Sequence, residues 1–139
     1  MKKKIAILGS TGSIGKTTID ILRNDKKNFE LVLLSTNNNL KEILKQTYEF
    51  KPKNLVVNNK NHYLKLKKKF KKINVFNNFI IFFNKFNKKL DYSISAISGL
   101  SGLQPTLDII KHTKSIAIAN KESIICAWNL IEKELKKNK

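Results

Sequence analysis

Three glycines in close succession, Gly9-Ser10-Thr11-Gly12-Ser13-Ile14-Gly15, followed by Lys16-Thr17-Thr18, are the residues of this sequence best placed to do chemistry. Glycine lets a backbone turn sharply and lets a ligand come close. A helix that opens on such a turn leaves its first N–H groups unpaired, at the positive end of its dipole. That combination seats phosphate. Thr11, Gly12, Ser13 and Ile14 are therefore the candidate anion contacts. Two nucleotide patterns compete for the loop. G-x-x-x-x-G-K-[ST] is completed by Gly15-Lys16-Thr17 but has Ser10 in its first place. G-x-G-x-x-G finds Gly12 and Gly15, again with Ser10 first and Gly9 one place early. An ordinary strand-to-helix turn would also use these residues.

The elements around the loop narrow the choice. Ile5 to Leu8 is apolar without alternation, as in a parallel strand buried on both faces. Ile14, Thr18, Ile21 and Leu22 give the following helix, Ser13 to Arg23, an apolar stripe. The same alternation continues. Strands are predicted over Phe29–Ser35, Leu55–Val57, Ile73–Phe76, Tyr92–Ile97 and Ser115–Ala119. Helices are predicted from Leu40 to Phe50, Lys60 to Phe70, near Gly102 to Ile110, and from Asn120 onward. Asn77 to Lys89 fits a short buried helix at least as well as a strand. Repeated β-α units without a hairpin predict a single α/β domain over residues 1–139. It is a doubly wound, Rossmann-like parallel sheet with helices on both faces. Ligands of such sheets sit at the carboxyl ends of the strands, at the topological switch point. The loops Gly9–Ser13, Ser35–Asn39, Ile97–Leu100 and Ala119–Ser123 are then the ones that matter.

Composition excludes several classes. Cys126 is the lone cysteine of 139 residues, so there is no disulfide framework and no C-x-x-C metal knuckle. After Lys2–Lys4 only four apolar residues precede Gly9, too few for a signal peptide. The run Phe79–Phe83 is far too short to span a bilayer. A cytoplasmic protein without membrane partners is expected. The net charge of +18 invites a nucleic-acid-binding module. Yet Arg23 is the single arginine, the lysines are dispersed, and no aromatic residues interleave them, so no nucleic-acid partner is expected. His62 and His112, beside lysines, read as solvated; Cys126 and Trp128 read as core.

The strand ends decide between the phosphate patterns. A P-loop enzyme holds Mg²⁺ through an Asp at the end of a second strand. Here the ends are Ser35, Val57, Ile97-Ser98 and Ala119-Asn120, none acidic, and Asp91 precedes its strand. Dinucleotide folds that prefer NAD place an acid after the second strand. Ser35-Thr36-Asn37-Asn38-Asn39 contains none, and with Lys41 nearby it is compatible with NADP. Lys16 then becomes an exposed helix residue.

Three stretches resemble the 1-deoxy-D-xylulose 5-phosphate reductoisomerase family: Ile7–Gly15, Gly99-Leu100-Ser101-Gly102-Leu103-Gln104-Pro105-Thr106-Leu107, and Ile118-Ala119-Asn120-Lys121-Glu122-Ser123. The first is shared with semialdehyde dehydrogenases, which form the alternative enzyme reading; the other two are more particular. The resemblance implies an NADPH-dependent oxidoreductase of isoprenoid synthesis. Such an enzyme isomerises and reduces its sugar phosphate to 2-C-methyl-D-erythritol 4-phosphate, with Mg²⁺ or Mn²⁺, as a homodimer. It further implies NADPH phosphate contacts at Thr11, Gly12, Ser13 and Ile14, and ribose-side contacts at Asn37, Asn38 and Asn39. It implies nicotinamide-side contacts at Asn120 and Glu122, and substrate contact at Lys121. The family usually carries a basic residue where Asn38 stands. Its metal-binding Asp and Glu, catalytic lid and C-terminal helical domain would lie past Lys139. The 139 residues are thus expected to bind cofactor but to hold no catalytic or metal-binding residue of their own.

Overall fold

The computed structural model describes all 139 residues. Its strands are β1 (Lys3–Leu8), β2 (Phe29–Thr36), β3 (Asn54–Val57), β4 (Asn74–Phe76), β5 (Leu90–Ser95) and β6 (Thr113–Ile118). Its helices are α1 (Ser13–Arg23), α2 (Leu40–Phe50), α3 (Lys60–Lys69), α4 (Phe79–Lys85), α5 (Leu103–Ile110) and α6 (Lys121–Lys137), with a 3₁₀ turn at Leu100–Gly102 before α5. The strands form one parallel sheet in the order β4-β3-β2-β1-β5-β6. The chain winds outward from β1 to β4, then returns to lay β5 on the other side of β1. The switch point therefore falls between the carboxyl ends of β1 and β5, as the β-α alternation predicts.

Each face of the sheet has its own core. On one face Ile5, Ile7, Leu31, Leu34, Leu55 and Val57 meet Ile19 and Leu22 of α1, Ile43 of α2 and Leu66 of α3. On the other, Ala6, Leu8, Val32, Leu33, Val56 and Leu90 meet Phe82 of α4, Phe86 just after it and Ile109 of α5. Val32 and Leu33 are neighbours yet share a face, because the β1–β2 register shifts between Ile5 and Ala6. The ambiguous Phe-rich segment resolves as α4. Asn78 caps it by accepting from Ile81 N–H at 2.8 Å, and Phe82 stacks on Phe86 with ring centroids 4.9 Å apart.

Three expectations need correction. The buried stripe of α1 is Gly15, Ile19 and Leu22, not the one through Ile14 and Ile21, which are 48% and 63% exposed. The reason is Gly15: a Cβ there would stand 2.2 Å from Gly9 O, so α1 presses its bare glycine against the loop and turns Ile14 outward. In α6 the helix kinks at Ala127 (φ −143°, ψ 27°), and Ser123, Ala127 and Ile131 pack inward. Trp128, 44% exposed, and Cys126 are thereby left at the surface instead of in the core. His112 is half-buried, stacked 5.6 Å from Phe83 and edge-on to Phe86, and this burial lowers its pKa.

Ion pairs fasten the ends away from the loops. Arg23 at the end of α1 makes a forked pair with Glu49 of α2 (Nε–Oε1 2.6 Å, Nη2–Oε2 2.8 Å) and also reaches Asp20. The guanidinium holds the Glu49 carboxyl down at about 2. Asp91, at the start of β5, accepts from Lys114 Nζ at 2.7 Å and from Lys4 N–H at 2.9 Å; both hold its pKa down. It is a strut across three strands, remote from their carboxyl ends.

Candidate dinucleotide site

The glycine loop is held from beneath before any ligand arrives. Gly9 takes φ +80°, and a Cβ on it would stand 2.7 Å from Ala96 O, so glycine alone lets β1 and β5 meet at the switch point. Its N–H donates to Ser35 Oγ at 2.7 Å. Ser10 N–H donates to Ser35 O at 2.9 Å, Ser10 Oγ reaches the same carbonyl, and Gln46 Nε2 of α2 donates to Ser10 O at 2.8 Å. Thr11 Oγ1 bonds Thr36 Oγ1 at 2.7 Å. Ser10, Ser35, Thr36 and Gln46 are all buried. Each such group would cost about 1–3 kcal/mol if left unpaired, so the network fixes one loop conformation.

Gly12 is different. It opens α1 with φ −78° and ψ 177°, which any residue adopts. A Cβ there would meet only Gly9 O at 3.6 Å and Ala96 O at 3.9 Å, ordinary contacts. Neither conformation nor packing within the chain requires a glycine here.

The helix behind Gly12 is also uncapped. Asn39, Asn59, Asn78 and Asn120 cap α2, α3, α4 and α6, each side chain accepting the N–H three residues on. Gly12 offers α1 no side-chain cap, as Gly102 offers none to α5, and the N–H groups of Ser13 and Ile14 have no acceptor in the chain. Ser13 and Ile14 are exposed and follow directly on Gly12, which lines a cavity of about 310 Å³ together with Gly9, Thr11, Ser35–Asn37, Asn58, Phe79, Ala96–Ser98 and Ser101; Ser13 and Ile14 themselves are not part of its lining. No acidic side chain lines it. A glycine with room for a ligand, free N–H donors and a neutral wall together fit a bound diphosphate. A larger cavity of about 510 Å³ lies at the β4 edge, around Asn54, Phe70 and Phe86, away from all these loops.

The sequence-predicted residues come together at one end of the sheet, in two groups. Thr11, Gly12 and Asn37 line the cavity. Asn38 and Asn39 follow on the same loop, exposed; Asn38 Oδ1 accepts from Asn59 Nδ2 at 3.0 Å, and Asn39 Oδ1 caps α2. The second group is at the start of α6. Asn120 is only 3% exposed. Its Nδ2 donates to Ile97 O at 2.5 Å and to Gly99 O at 2.7 Å, while its Oδ1 caps α6 at Ser123 N–H. A Cβ on Gly102 would lie 2.3 Å from that Nδ2, so Gly102 keeps the space open. Asn120 thus binds the β5–α5 loop to α6 with its whole side chain. Lys121 stays exposed and Glu122 half-buried, neither in an ion pair.

Sequence reading passed over Gln46, Asn58, Phe79 and Ser101. Gln46 had a detectable signal, since it falls three residues after Ile43 on the buried face of α2, where a polar residue needs a partner. No three His, Cys, Asp or Glu side chains converge on one point.

Comparison with known proteins gives one consistent result. The family model for 1-deoxy-D-xylulose 5-phosphate reductoisomerase matches residues 5–128. The reductoisomerase of Pelagibacter ubique is 56% identical over 99% of this chain, and that of Clostridium acetobutylicum 39% over 97%; the match covers 36% of each. The chain therefore spans about a third of the length of these relatives. Among solved structures, the Zymomonas mobilis reductoisomerase in complex with NADPH superposes with a TM-score of 0.89 at 26% identity, over 99% of this chain and 37% of that one. A reductoisomerase in complex with NADPH, fosmidomycin and magnesium gives 0.88 at 28% identity, over 98% and 34%.

Proposed function

Because the chain belongs to the 1-deoxy-D-xylulose 5-phosphate reductoisomerase family, we propose that it is the NADPH-binding domain of such an enzyme, spanning residues 1–139. The observation that carries this reading is Gly12: a glycine that the chain itself does not need, at the mouth of an uncapped helix. A pyrophosphate seated there would accept from Ser13 and Ile14 N–H, with Thr11 Oγ1 at its flank, and would take the place of the missing cap. Ala96 to Ser98 and Phe79 would wall the cofactor, and Asn37 to Asn39 would receive its adenosine ribose. Asn120 acts by position, because its side chain is committed to Ile97 and Gly99. It sets Glu122 toward the nicotinamide side and Lys121 toward a sugar phosphate, whose charge a free ammonium would offset.

The chemistry that bound NADPH supplies is hydride delivery to the aldehyde formed by skeletal rearrangement. The residues here would bind and orient the cofactor. Mg²⁺ or Mn²⁺ is proposed for the complete enzyme. The relatives favour neither a semialdehyde-type dehydrogenase nor a nucleic-acid module. No helix is long and apolar enough to cross a membrane. A cytoplasmic enzyme is the localisation proposed. A homodimer is the assembly proposed for the complete enzyme.

Calorimetric titration of the chain with NADPH and NADH tests the proposal. Saturable NADPH binding without turnover of the sugar phosphate is expected; no binding of either nucleotide would refute it.

A further inference from the structure

β4 is an outer strand of the sheet and pairs on one side alone, with β3. Asn74 N–H donates to Lys53 O at 3.0 Å. Alternate residues of a parallel strand bond the same neighbour, so Val75 turns its N–H and C=O to the open edge. The cavity of about 510 Å³ lies against that edge and takes in Asn74, Val75 and Phe76 together. It straddles the strand. Phe70, Ile73 and Val75 pack against the core beneath α1, α2 and α3, whereas Phe76, Phe82 and Phe86 pack with the core beneath α4 and α5. Both apolar layers of the sheet thus end in one slot, with the end of α3 as one wall and α4 as the other. The slot shares no residue with the cofactor cavity.

Charge narrows the occupant. Lys67 of α3, Lys71 just after it and Lys85 of α4 line the slot, all exposed and none ion-paired, and no carboxylate lines it. With a net charge of +18, lysines alone would mark no particular place. Here they stand on both walls of an open backbone edge. They also disfavour a second copy of this chain, since two such edges brought together would oppose like charges.

We infer that β4 accepts an extended, acidic peptide segment of another protein as an added strand. The segment's backbone pairs with Val75 N–H and C=O. Its side chains alternate between Phe70 and Ile73 on one wall and Phe76 and Phe82 on the other, and its carboxylates meet Lys67, Lys71 and Lys85. An anionic lipid surface or a nucleic-acid backbone would answer the lysines but leave the strand edge unpaired, so the peptide fits both features.

The test is a calorimetric titration of the full chain with a synthetic octapeptide, Glu-Val repeated four times. Saturable binding is expected, with slowed amide exchange at Val75. The same peptide methylated on every backbone nitrogen keeps its charge and side chains but loses its donors, and should bind about tenfold more weakly. Lys67→Glu, Lys71→Glu and Lys85→Glu together should weaken the unmethylated peptide about tenfold. Lys27→Glu, Lys45→Glu and Lys133→Glu together, exposed elsewhere and bringing the chain to the same net charge, should leave it within about twofold. Val75→Pro removes the outward N–H at an edge position, where proline is tolerated, and should weaken binding likewise; if that variant does not fold, the methylated peptide decides. No saturable binding, equal affinity for the methylated peptide, equal loss in both triple variants, or unchanged exchange at Val75 would overturn the proposal. So would phosphatidylserine vesicles or a DNA duplex binding at Lys67, Lys71 and Lys85 while the peptide does not, or dimerisation of the chain through this edge.

Discussion

Gly12→Ala should leave the fold intact and remove the cofactor. The added Cβ would stand 3.6 Å from Gly9 O and 3.9 Å from Ala96 O, at a φ of −78°, so it meets neither clash nor strain. Alanine is a poorer N-cap than glycine, a cost of up to about 1 kcal/mol, offset in part by about 0.4–1 kcal/mol from a stiffer unfolded chain. The melting temperature should therefore move little. Binding should not escape. The methyl group would occupy the surface where the pyrophosphate meets the first turn of α1 and push it off the Ser13 and Ile14 N–H groups. Losing one hydrogen bond to a charged partner costs about 1.5–3 kcal/mol, roughly a ten- to hundredfold weaker Kd for NADPH and for NADH alike. Gly15→Ala is the contrast. Its Cβ would fall 2.2 Å from Gly9 O and 2.6 Å from Ser10 Cα, so it should destabilise the fold by about 1–3 kcal/mol or more, whatever it does to binding. Calorimetric titration paired with thermal unfolding separates the two. If Gly12→Ala folds normally and binds NADPH within about twofold of wild type, the phosphate does not sit at Gly12 and the site assignment is refuted.

Asn120→Asp keeps the cap at Ser123 N–H but cannot donate to Ile97 O and Gly99 O, and it sets a carboxylate against both carbonyls. It should cost about 2–3 kcal/mol in denaturant unfolding, and an unchanged midpoint would show that the brace is dispensable. Glu49→Gln tests the pairing of α1 with α2. The folded pKa of Glu49, about 2, lies below that of an unfolded glutamate, so its contribution is complete above about pH 4.5 and is lost as pH falls toward 2. Arg23 is 37% exposed, so solvent screening keeps the contribution of the pair small at pH 7. The variant should be slightly weaker at pH 7 and converge with wild type near pH 2; a constant offset across the range would contradict the linkage.

The sheet was legible because parallel strands buried on both faces read as apolar runs, and the repeated β-α alternation placed helices between them. Three features were not legible, each for a local reason. Hydrophobic periodicity counts Ile14 and cannot see the bare face of Gly15, so the stripe of α1 was assigned to the wrong side. Reading Trp128 as core presumes a straight α6, and the kink at Ala127 turns it outward. The network under the loop is made of Ser35, Thr36 and Gln46, residue types that look alike in a sequence whether buried or exposed.

The glycine loop shows why pattern matching stops short of function. Ser10 stands where G-x-G-x-x-G asks for its first glycine, yet nothing is lost, because Gly9 performs the sharp turn one residue earlier, with φ +80° against Ala96 O. Ser10 instead sends its side chain and N–H down to Ser35 O, a bond that a glycine side chain could not make. Gly15 keeps the place that helix–loop packing demands. Gly9 and Gly15 are thus explained inside the chain, and Gly12 is the glycine left over. A residue whose type is explained by neither its conformation nor its neighbours is where the chain is shaped for something outside itself. That argument reaches the same spot as the free N–H groups of Ser13 and Ile14 by a separate route. It needs no relative to point there, so the binding proposal stands or falls on this chain's own response to Gly12→Ala.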